Sequence, residues 1–194
     1  KQASKQASNK SVYAPIVASN HSKHERHQED YYATDPVAVD YLLNVESFKN
    51  VLEPACGEGH LSKRLIELGV EVHSSDLIDR GYGEVADFFG IEKWEGDLIT
   101  NPPYNIAQKF VEHSLKVVPK GNKVAMFLKL TFLEGQARRK MFEQYPPKTV
   151  YVFSKRIKCA KGGDFNGFSS SAVAYAWFVW EKGFKGKPQI EWID

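Results

Sequence analysis

The sequence predicts an α/β fold with a mainly parallel, seven-stranded sheet and helices on both faces. From residue 31 onward, short apolar or β-branched runs alternate with helical periods of ten or more residues, which is the pattern of βαβ units. The run AVAYAWFVW at 172–180 is apolar throughout, as expected of a strand buried on both faces. With 42% hydrophobic residues among 194, the chain can bury a core and is not disordered throughout.

The predicted elements follow one another in the order of such a fold. A first helix begins at Pro36 with Asp35 as its N-cap, because proline is favoured at the first helical position and aspartate just before it. A strand ends near Pro54, and the helix at 60–68 ends at Gly69. The other strands are expected at 70–75, 84–88, 97–101, 123–130, 149–154 and 172–180, and the other helices at 106–118 and 135–145.

Composition separates the first 30 residues from the rest. They contain a tandem KQAS repeat and few apolar side chains, so we expect a flexible polar tail at 1–30 and one folded domain at 31–194. Cys56 and Cys159 are too few for a disulfide framework and lack the spacing of a zinc site. Neither a membrane span nor the apolar core of a signal peptide is present. We therefore expect a cytoplasmic protein with no metal and no membrane contact.

Charge is distributed unevenly along the chain, although the formal net charge is only +2. Residues 25–100 hold 17 acidic and 6 basic side chains, a balance of −11. Residues 134–187 hold 4 acidic and 11 basic ones, a balance of +7. The later part is therefore expected to face a polyanion, with a solvated basic face as the alternative.

The segment EPACGEG at 53–59 lies between a strand and a helix, where a glycine turn lets the backbone approach a ligand. A dinucleotide fingerprint would need a third glycine where Ser62 stands, which disfavours a pyrophosphate cofactor. Asp76 ends the next strand, where its carboxylate can accept hydrogen bonds from ribose hydroxyls. Asp87 follows at the next predicted strand end, beside Phe88. Together these residues predict a nucleotide-type pocket at the carboxyl ends of the strands.

The tetrapeptide NPPY at 101–104 carries the most specific resemblance in the chain. Together with EPACGEG and with YYATDP at 31–36, it resembles the motifs of S-adenosylmethionine-dependent amino-methyltransferases of the adenine N6 type. The resemblance extends from residue 31 to about residue 180 and follows the order of motifs in that family. It implies a Rossmann-like class I methyltransferase fold, S-adenosyl-L-methionine as cofactor and DNA as partner. Compact chains of this kind resemble phage or prophage enzymes of the family.

The resemblance also implies the site residues. The catalytic set is the tetrapeptide itself, namely Asn101, Pro102, Pro103 and Tyr104. The residues expected to contact the cofactor are Tyr32, Thr34, Glu53, Pro54, Ala55, Cys56, Gly57, Asp76, Leu77, Asp87, Phe88 and Asn101. Asp87 and Phe88 would hold the adenine, although an Asp before two Phe can equally be a turn carboxylate. Leu77 and Phe110 are apolar candidates for the same pocket, and a place in the hydrophobic core is the alternative for each.

The tetrapeptide NPPY has the groups that methylation of an exocyclic amine requires. An exocyclic amine conjugated to a ring has a delocalised lone pair and is a poor nucleophile. The side-chain oxygen of Asn101 and a backbone carbonyl near Pro102 can each accept one amino hydrogen, which turns the lone pair toward the methyl sulfonium. Proline adds no competing N–H, and Tyr104 can stack on an extruded base. The alternative is a plain Pro-Pro turn with an aromatic plug.

Basic and aromatic side chains in the later part of the chain are the candidate nucleic-acid contacts. The segment 156–171 contains three glycines and is expected to be a mobile loop. Its cations would contact phosphates, and a phenylalanine would act as a wedge beside the extruded base. The residues in this set are Arg138, Arg139, Arg156, Lys158, Lys161, Phe165 and Phe168. A surface hairpin with two anchoring aromatic residues is the alternative.

The sequence therefore predicts a methyltransferase that acts on the N6 of adenine in DNA. An RNA base or a protein glutamine amide is the nearest alternative substrate, because NPPY can organise any planar NH2 group. A noncatalytic nucleic-acid-binding or cofactor-binding module is the alternative of another class, and the intact Gly57, Gly59, Asp76 and Asn101 argue against it. The chain has no large insertion for target recognition, so the target sequence stays open.

Overall fold

The computed structural model describes residues 32–161, 163–165 and 173–194. The α-helices in these ranges are α1 (Val37–Val45), α2 (His60–Glu67), α3 (Ala107–Val117) and α4 (Gln136–Gln144). The strands are β1 (Tyr32–Thr34), β2 (Val51–Glu53), β3 (Val72–Asp76), β4 (Glu84–Val85), β5 (Leu98–Thr100), β6 (Lys123–Lys129), β7 (Thr149–Phe153), β8 (Cys159–Lys161), β9 (Tyr175–Glu181) and β10 (Gln189–Ile193).

Eight of these strands form one sheet in the order β10-β7-β9-β6-β5-β2-β3-β4. Neighbouring strands are parallel, except that β9 runs antiparallel between β6 and β7. The α/β class and the interior position of the apolar run near residue 180 are thereby confirmed. The sheet has eight strands instead of seven because β10 is added at the edge, beside β7. Most of β10 is exposed, so no apolar run marks it in the sequence.

Helices cover both faces of the sheet, as predicted. On one face α3 and α4 contribute Leu115 and Met141 to a hydrophobic core, and on the other face α1 and α2 contribute Leu42 and Leu65 to a second core. Successive residues of β9 point alternately into the two cores, so this strand is buried on both sides.

Local signals set the helix ends close to where the sequence predicts them. The Oδ1 atom of Asp35 accepts a hydrogen bond from the backbone N–H of Val37 at 3.1 Å, but the N-cap is Pro36 and not Asp35, so α1 begins one residue later than expected. The chain turns away after α2 at Gly69, whose φ of +85° favours glycine.

Two predicted segments take a different form. The strand expected at 84–88 is limited to β4, because Asp87 ends it by capping a 3₁₀ turn at Phe88–Gly90. The loop expected at 156–171 contains β8, which pairs antiparallel with β1. This pairing joins segments far apart in the chain, so local pattern does not reveal it. The tail predicted at 1–30 lies outside the described residues, and no helix within the described ranges could span a membrane.

Candidate active site

A pocket of about 700 Å³ opens at the carboxyl ends of the central strands. All four residues of NPPY line it, and so do all the predicted cofactor residues except Gly57. The volume is in the range of small-molecule sites, and the position is the one where parallel α/β sheets bind ligands. The fold therefore brings motifs that are separate in the sequence together around one cavity.

The glycine turn forms one wall of this pocket. Gly57 and Gly59 have φ values of +55° and +85°, a backbone conformation that favours glycine. A Cβ at Gly59 would lie 2.5 Å from the ring of Tyr82, so the glycine also allows Tyr82 to pack there. Burial raises the pKa of the Cys56 thiol to about 12, so Cys56 is protonated and structural, not nucleophilic.

Asp76 connects the glycine turn to the end of β3. Its Oδ2 accepts a hydrogen bond from the N–H of Gly57 at 2.8 Å, and its Oδ1 accepts one from the N–H of Ile78 at 2.9 Å. These two bonds fix the side chain. An ionised carboxylate has about four acceptor sites, so Asp76 keeps acceptor capacity for a ligand in the pocket that it lines.

Glu53 ends β2 and is buried, with 1% of its surface exposed. Ser62 donates a hydrogen bond to its carboxylate, and Ser74 donates one to the Ser62 hydroxyl at 2.7 Å. Burial raises the pKa of Glu53 from 4.5 to about 8, and the negative charge of Asp76 contributes in the same direction. The carboxyl group is therefore mainly protonated at neutral pH, and a cation bound beside it would favour its ionised form.

The raised pKa of Glu53 predicts a pH dependence of stability. The folded state holds this proton more tightly than the unfolded chain, so the free energy of unfolding should fall as pH rises from 4.5 to about 8. The slope from this one group is at most about 1.4 kcal/mol per pH unit. Glu53→Gln should remove that contribution in urea unfolding at a series of pH values. The exposed Glu67→Gln is the control, and equal slopes in both variants would contradict the assignment.

Asn101 follows β5 and is oriented by β1. Its amide nitrogen donates one hydrogen bond to the Thr34 hydroxyl at 2.8 Å and another to the Tyr32 carbonyl at 3.0 Å. Both amide hydrogens are used, so the amide plane is fixed. Among the described residues no group donates a hydrogen bond to its Oδ1. Because Asn101 lines the pocket, this oxygen is an acceptor available to a ligand.

Tyr104 lies at the mouth of the pocket and is 39% exposed. Its hydroxyl shares a hydrogen bond with Thr131 at 3.3 Å, and the Nζ atom of Lys129 lies 4.3 Å from its ring centroid. The residues at and just after the end of β6 therefore hold the ring in place, while part of the ring stays open to a planar ligand.

Asp87 and Phe88, the residues predicted to hold an adenine, both line the pocket. Phe88 is 2% exposed and packs on Phe110, whereas the neighbouring Phe89, which was not predicted, also lines the pocket and is 42% exposed. The Oδ1 of Asp87 accepts a hydrogen bond from the N–H of Phe89 at 3.0 Å, as a turn carboxylate does. Leu77 is 54% exposed and is therefore not a core residue, in contrast to Phe110.

Four of the predicted nucleic-acid residues belong to segments that follow β6 or β7. Arg138 and Arg139 belong to α4, which follows β6, and Arg156 and Lys158 lie between the end of β7 and β8. The carboxyl ends of β6 and β7 lie at the edge where the pocket opens, but none of these four cations lines the pocket. Arg139 is 81% exposed and pairs with Glu143 within α4.

Phe165 has a contact that the sequence does not suggest. It packs edge-on against His60, with ring centroids 5.3 Å apart, and His60 lines the pocket. This contact favours an anchoring role for Phe165 over that of a free wedge. The side chain of Lys161 and all of Phe168 lie outside the described residues.

Sequence reasoning missed several residues that line the pocket, among them Phe89 and Lys129, and it also missed Tyr82, whose ring packs against Gly59. Lys129 had a signal, since a lysine that ends the apolar run VAMFL is placed at the edge of the sheet. Tyr82 and Phe89 belong to segments without a regular period, so no local pattern identifies them.

Comparison with known proteins gives structural matches only: neither a family model nor a curated protein matches the sequence. TrmN from Thermus thermophilus is 19% identical, with a TM-score of 0.52 over 76% of this chain and 48% of its own. The M protein of the type I restriction enzyme EcoKI is 15% identical, with a TM-score of 0.51 over 80% of this chain and 44% of its own. An S-adenosylmethionine-dependent O-methyltransferase from Thermotoga maritima is 15% identical, with a TM-score of 0.50 over 78% of this chain and 65% of its own.

These matches establish the fold. The chain has the Rossmann-like α/β fold of these proteins, one of which is an S-adenosylmethionine-dependent O-methyltransferase. The chain spans less than half of the length of TrmN and of the EcoKI M protein.

Proposed function

We propose that this protein transfers a methyl group from S-adenosyl-L-methionine to the exocyclic N6 of adenine in DNA. The orientation of Asn101 carries this proposal. Because Thr34 and the Tyr32 carbonyl use both amide hydrogens, the Oδ1 atom is left as an acceptor at the pocket. A planar amine needs such an acceptor, since its lone pair is delocalised until an amino hydrogen is drawn out of the plane of the ring.

The residues present fit the cofactor. When bound, S-adenosylmethionine supplies an electrophilic methyl group on a positively charged sulfur. Asp76 retains acceptor capacity for two ribose hydroxyls. Asp87 and the exposed ring of Phe89 offer an acceptor and a flat surface to an adenine. The buried Glu53 provides a carboxyl group for a positively charged end of the cofactor.

Side-chain and backbone groups of NPPY orient the amino nitrogen that acts as the nucleophile. Asn101 accepts one amino hydrogen and a backbone carbonyl near Pro102 accepts the other, so the nitrogen moves toward tetrahedral geometry with its lone pair toward the methyl group. Tyr104 stacks on the extruded base. The bound cofactor would supply the methyl carbon to this nitrogen and would leave as the neutral thioether S-adenosylhomocysteine. The proton is then lost easily, since the methylated nitrogen carries positive charge, and no strong base is needed.

The charge distribution supports a nucleic-acid substrate. Arg138, Arg139, Arg156 and Lys158 belong to segments that follow β6 or β7, the strands whose carboxyl ends lie at the edge where the pocket opens, and cations there suit a phosphate backbone. The EcoKI M protein, which belongs to a type I restriction enzyme, is among the proteins with this fold. The same acceptors could organise an RNA base or a glutamine amide, so the substrate class needs a direct test.

The test is methyl transfer from labelled S-adenosylmethionine to DNA, RNA and protein in parallel. Label should enter adenine-containing DNA and not a polymer of dG and dC, and digestion should yield N6-methyldeoxyadenosine. Label in RNA or protein alone would overturn the DNA assignment. If the cofactor binds and no label enters any substrate, the chain is a noncatalytic module.

The basic residues at the pocket edge should determine the salt dependence of DNA binding. Changing Arg138, Arg139 and Lys158 together to Gln should weaken binding, because each lost phosphate contact lowers the slope of log affinity against log salt by about 0.9. Fluorescence anisotropy with a labelled duplex measures the slope. Lys116, Lys120 and Lys187 lie toward the opposite edge of the sheet, and changing all three to Gln is the matched control. Equal slopes in both triple variants would show that the patch is only a solvated face.

A further inference from the structure

Lys129 is a cation at the active-site pocket. It ends β6, is half-buried and lines the cavity. Within the described part of the chain, none of the salt bridges includes its ammonium group, whereas Lys123 at the other end of the same strand pairs with Glu46 at 2.6 Å. The Nζ atom of Lys129 lies over the ring of Tyr104, 4.3 Å from its centroid.

A half-buried ammonium group needs compensation for the water that it loses. The contact with the ring supplies part of it, and a bound anion would supply the rest. The position of Lys129 indicates the source of this anion. It contacts Tyr104, the residue proposed to stack on the target, and β6 is separated from the glycine turn after β2 by β5. An anion at Lys129 therefore lies beside the target and away from the ribose-binding residue Asp76.

We propose that Lys129 binds a backbone phosphate next to the target nucleotide. This proposal rests on the function proposed above and deepens it, because a phosphate contact distinguishes a nucleotide within a strand from a protein amide. The ammonium group also covers one face of Tyr104, so the base must stack on the ring where Lys129 leaves it open. A single side chain thereby orients the aromatic platform and holds the backbone of the nucleotide that stacks on it.

The test compares Lys129→Met, which keeps the length of the side chain and removes the charge, with Lys129→Arg, which keeps the charge. The probe is a fluorescein-labelled DNA duplex, with binding measured between low and high salt in the presence of S-adenosylhomocysteine. Lys129→Met should lower the salt slope by about 0.9, which makes its loss of affinity about eightfold larger at 0.1 M than at 1 M salt. Lys129→Arg should restore the slope. The exposed Lys187→Met is the matched control and should behave as the wild type.

The anion at Lys129 has two possible sources, a backbone phosphate of DNA and the carboxylate of the cofactor. Calorimetric titration of S-adenosylmethionine distinguishes them. Unchanged cofactor affinity in Lys129→Met is expected. A loss of cofactor affinity with an unchanged DNA slope would assign Lys129 to the carboxylate of the cofactor and overturn the proposal. An unchanged slope with unchanged cofactor affinity would also overturn it. The binding assay needs no turnover, so failure of the wild type to methylate DNA would count against the proposed function and not against the Lys129 contact.

Discussion

Asn101→Ala should lower methyl transfer by about two to three orders of magnitude, the usual cost of removing one group aimed at the charge that develops in a transition state. Its affinity for S-adenosylmethionine should remain nearly unchanged. The lost acceptor matters most when the amino nitrogen begins to carry positive charge, so the effect belongs to kcat. Single-turnover transfer and calorimetric titration of the cofactor measure the two quantities separately.

The control for Asn101→Ala is Asn44→Ala, which makes the same change at an exposed position of α1. Because Asn101 also bonds to Thr34 and the Tyr32 carbonyl, thermal unfolding must show that the variant remains folded. Near wild-type transfer by a folded Asn101→Ala protein would remove the amide from the mechanism. Equal losses in cofactor affinity and turnover would assign Asn101 to cofactor binding alone.

Asp76→Ala should weaken binding of S-adenosylmethionine by two orders of magnitude or more. Two hydrogen bonds from ribose hydroxyls to a carboxylate would be lost, each worth about 1.5 to 3 kcal/mol. The glycine turn would also lose the carboxylate that accepts from the N–H of Gly57. Calorimetric titration measures the affinity directly.

Asp79→Ala is the matched control for Asp76→Ala. The Oδ1 of Asp79 accepts a hydrogen bond from the N–H of Gly81 at 2.9 Å, the same turn contact two residues onward that Asp76 makes with Ile78. Unlike Asp76, it does not line the pocket. Loss of cofactor affinity in both variants would indicate that the conformation of the loop, and not the Asp76 carboxylate itself, determines cofactor binding. Unchanged affinity in a folded Asp76→Ala protein would exclude the carboxylate from the site.

The position of each site motif at the end of a strand could be predicted from local pattern, because each motif ends a strand or follows one directly. The glycine turn follows β2, Asp76 ends β3 and Asn101 follows β5. These strands are parallel neighbours, so their carboxyl ends meet at one edge and the three motifs meet with them. The convergence of these motifs on one pocket is a consequence of parallel pairing and needs no information beyond the order of the elements.

The direction and environment of individual side chains could not be predicted in the same way. Asn101 is oriented by Thr34, and Lys129 lies over Tyr104, although neither pair is close in sequence. Phe88 and Phe89 are adjacent and indistinguishable in the sequence, yet a 3₁₀ turn buries the first and exposes the second.

The sequence by itself determined the α/β class, the two helical layers and the positions of the glycine turn and NPPY, because periodicity, capping and glycine conformation act over a few neighbouring residues. Only the tertiary structure decided that β1 pairs with β8, that β10 adds an eighth strand and that Glu53 is buried enough to hold a proton near neutral pH. These features depend on contacts between distant segments and on the water that they exclude. Neither the contacts between distant segments nor the exclusion of water can be predicted from a local run of residues.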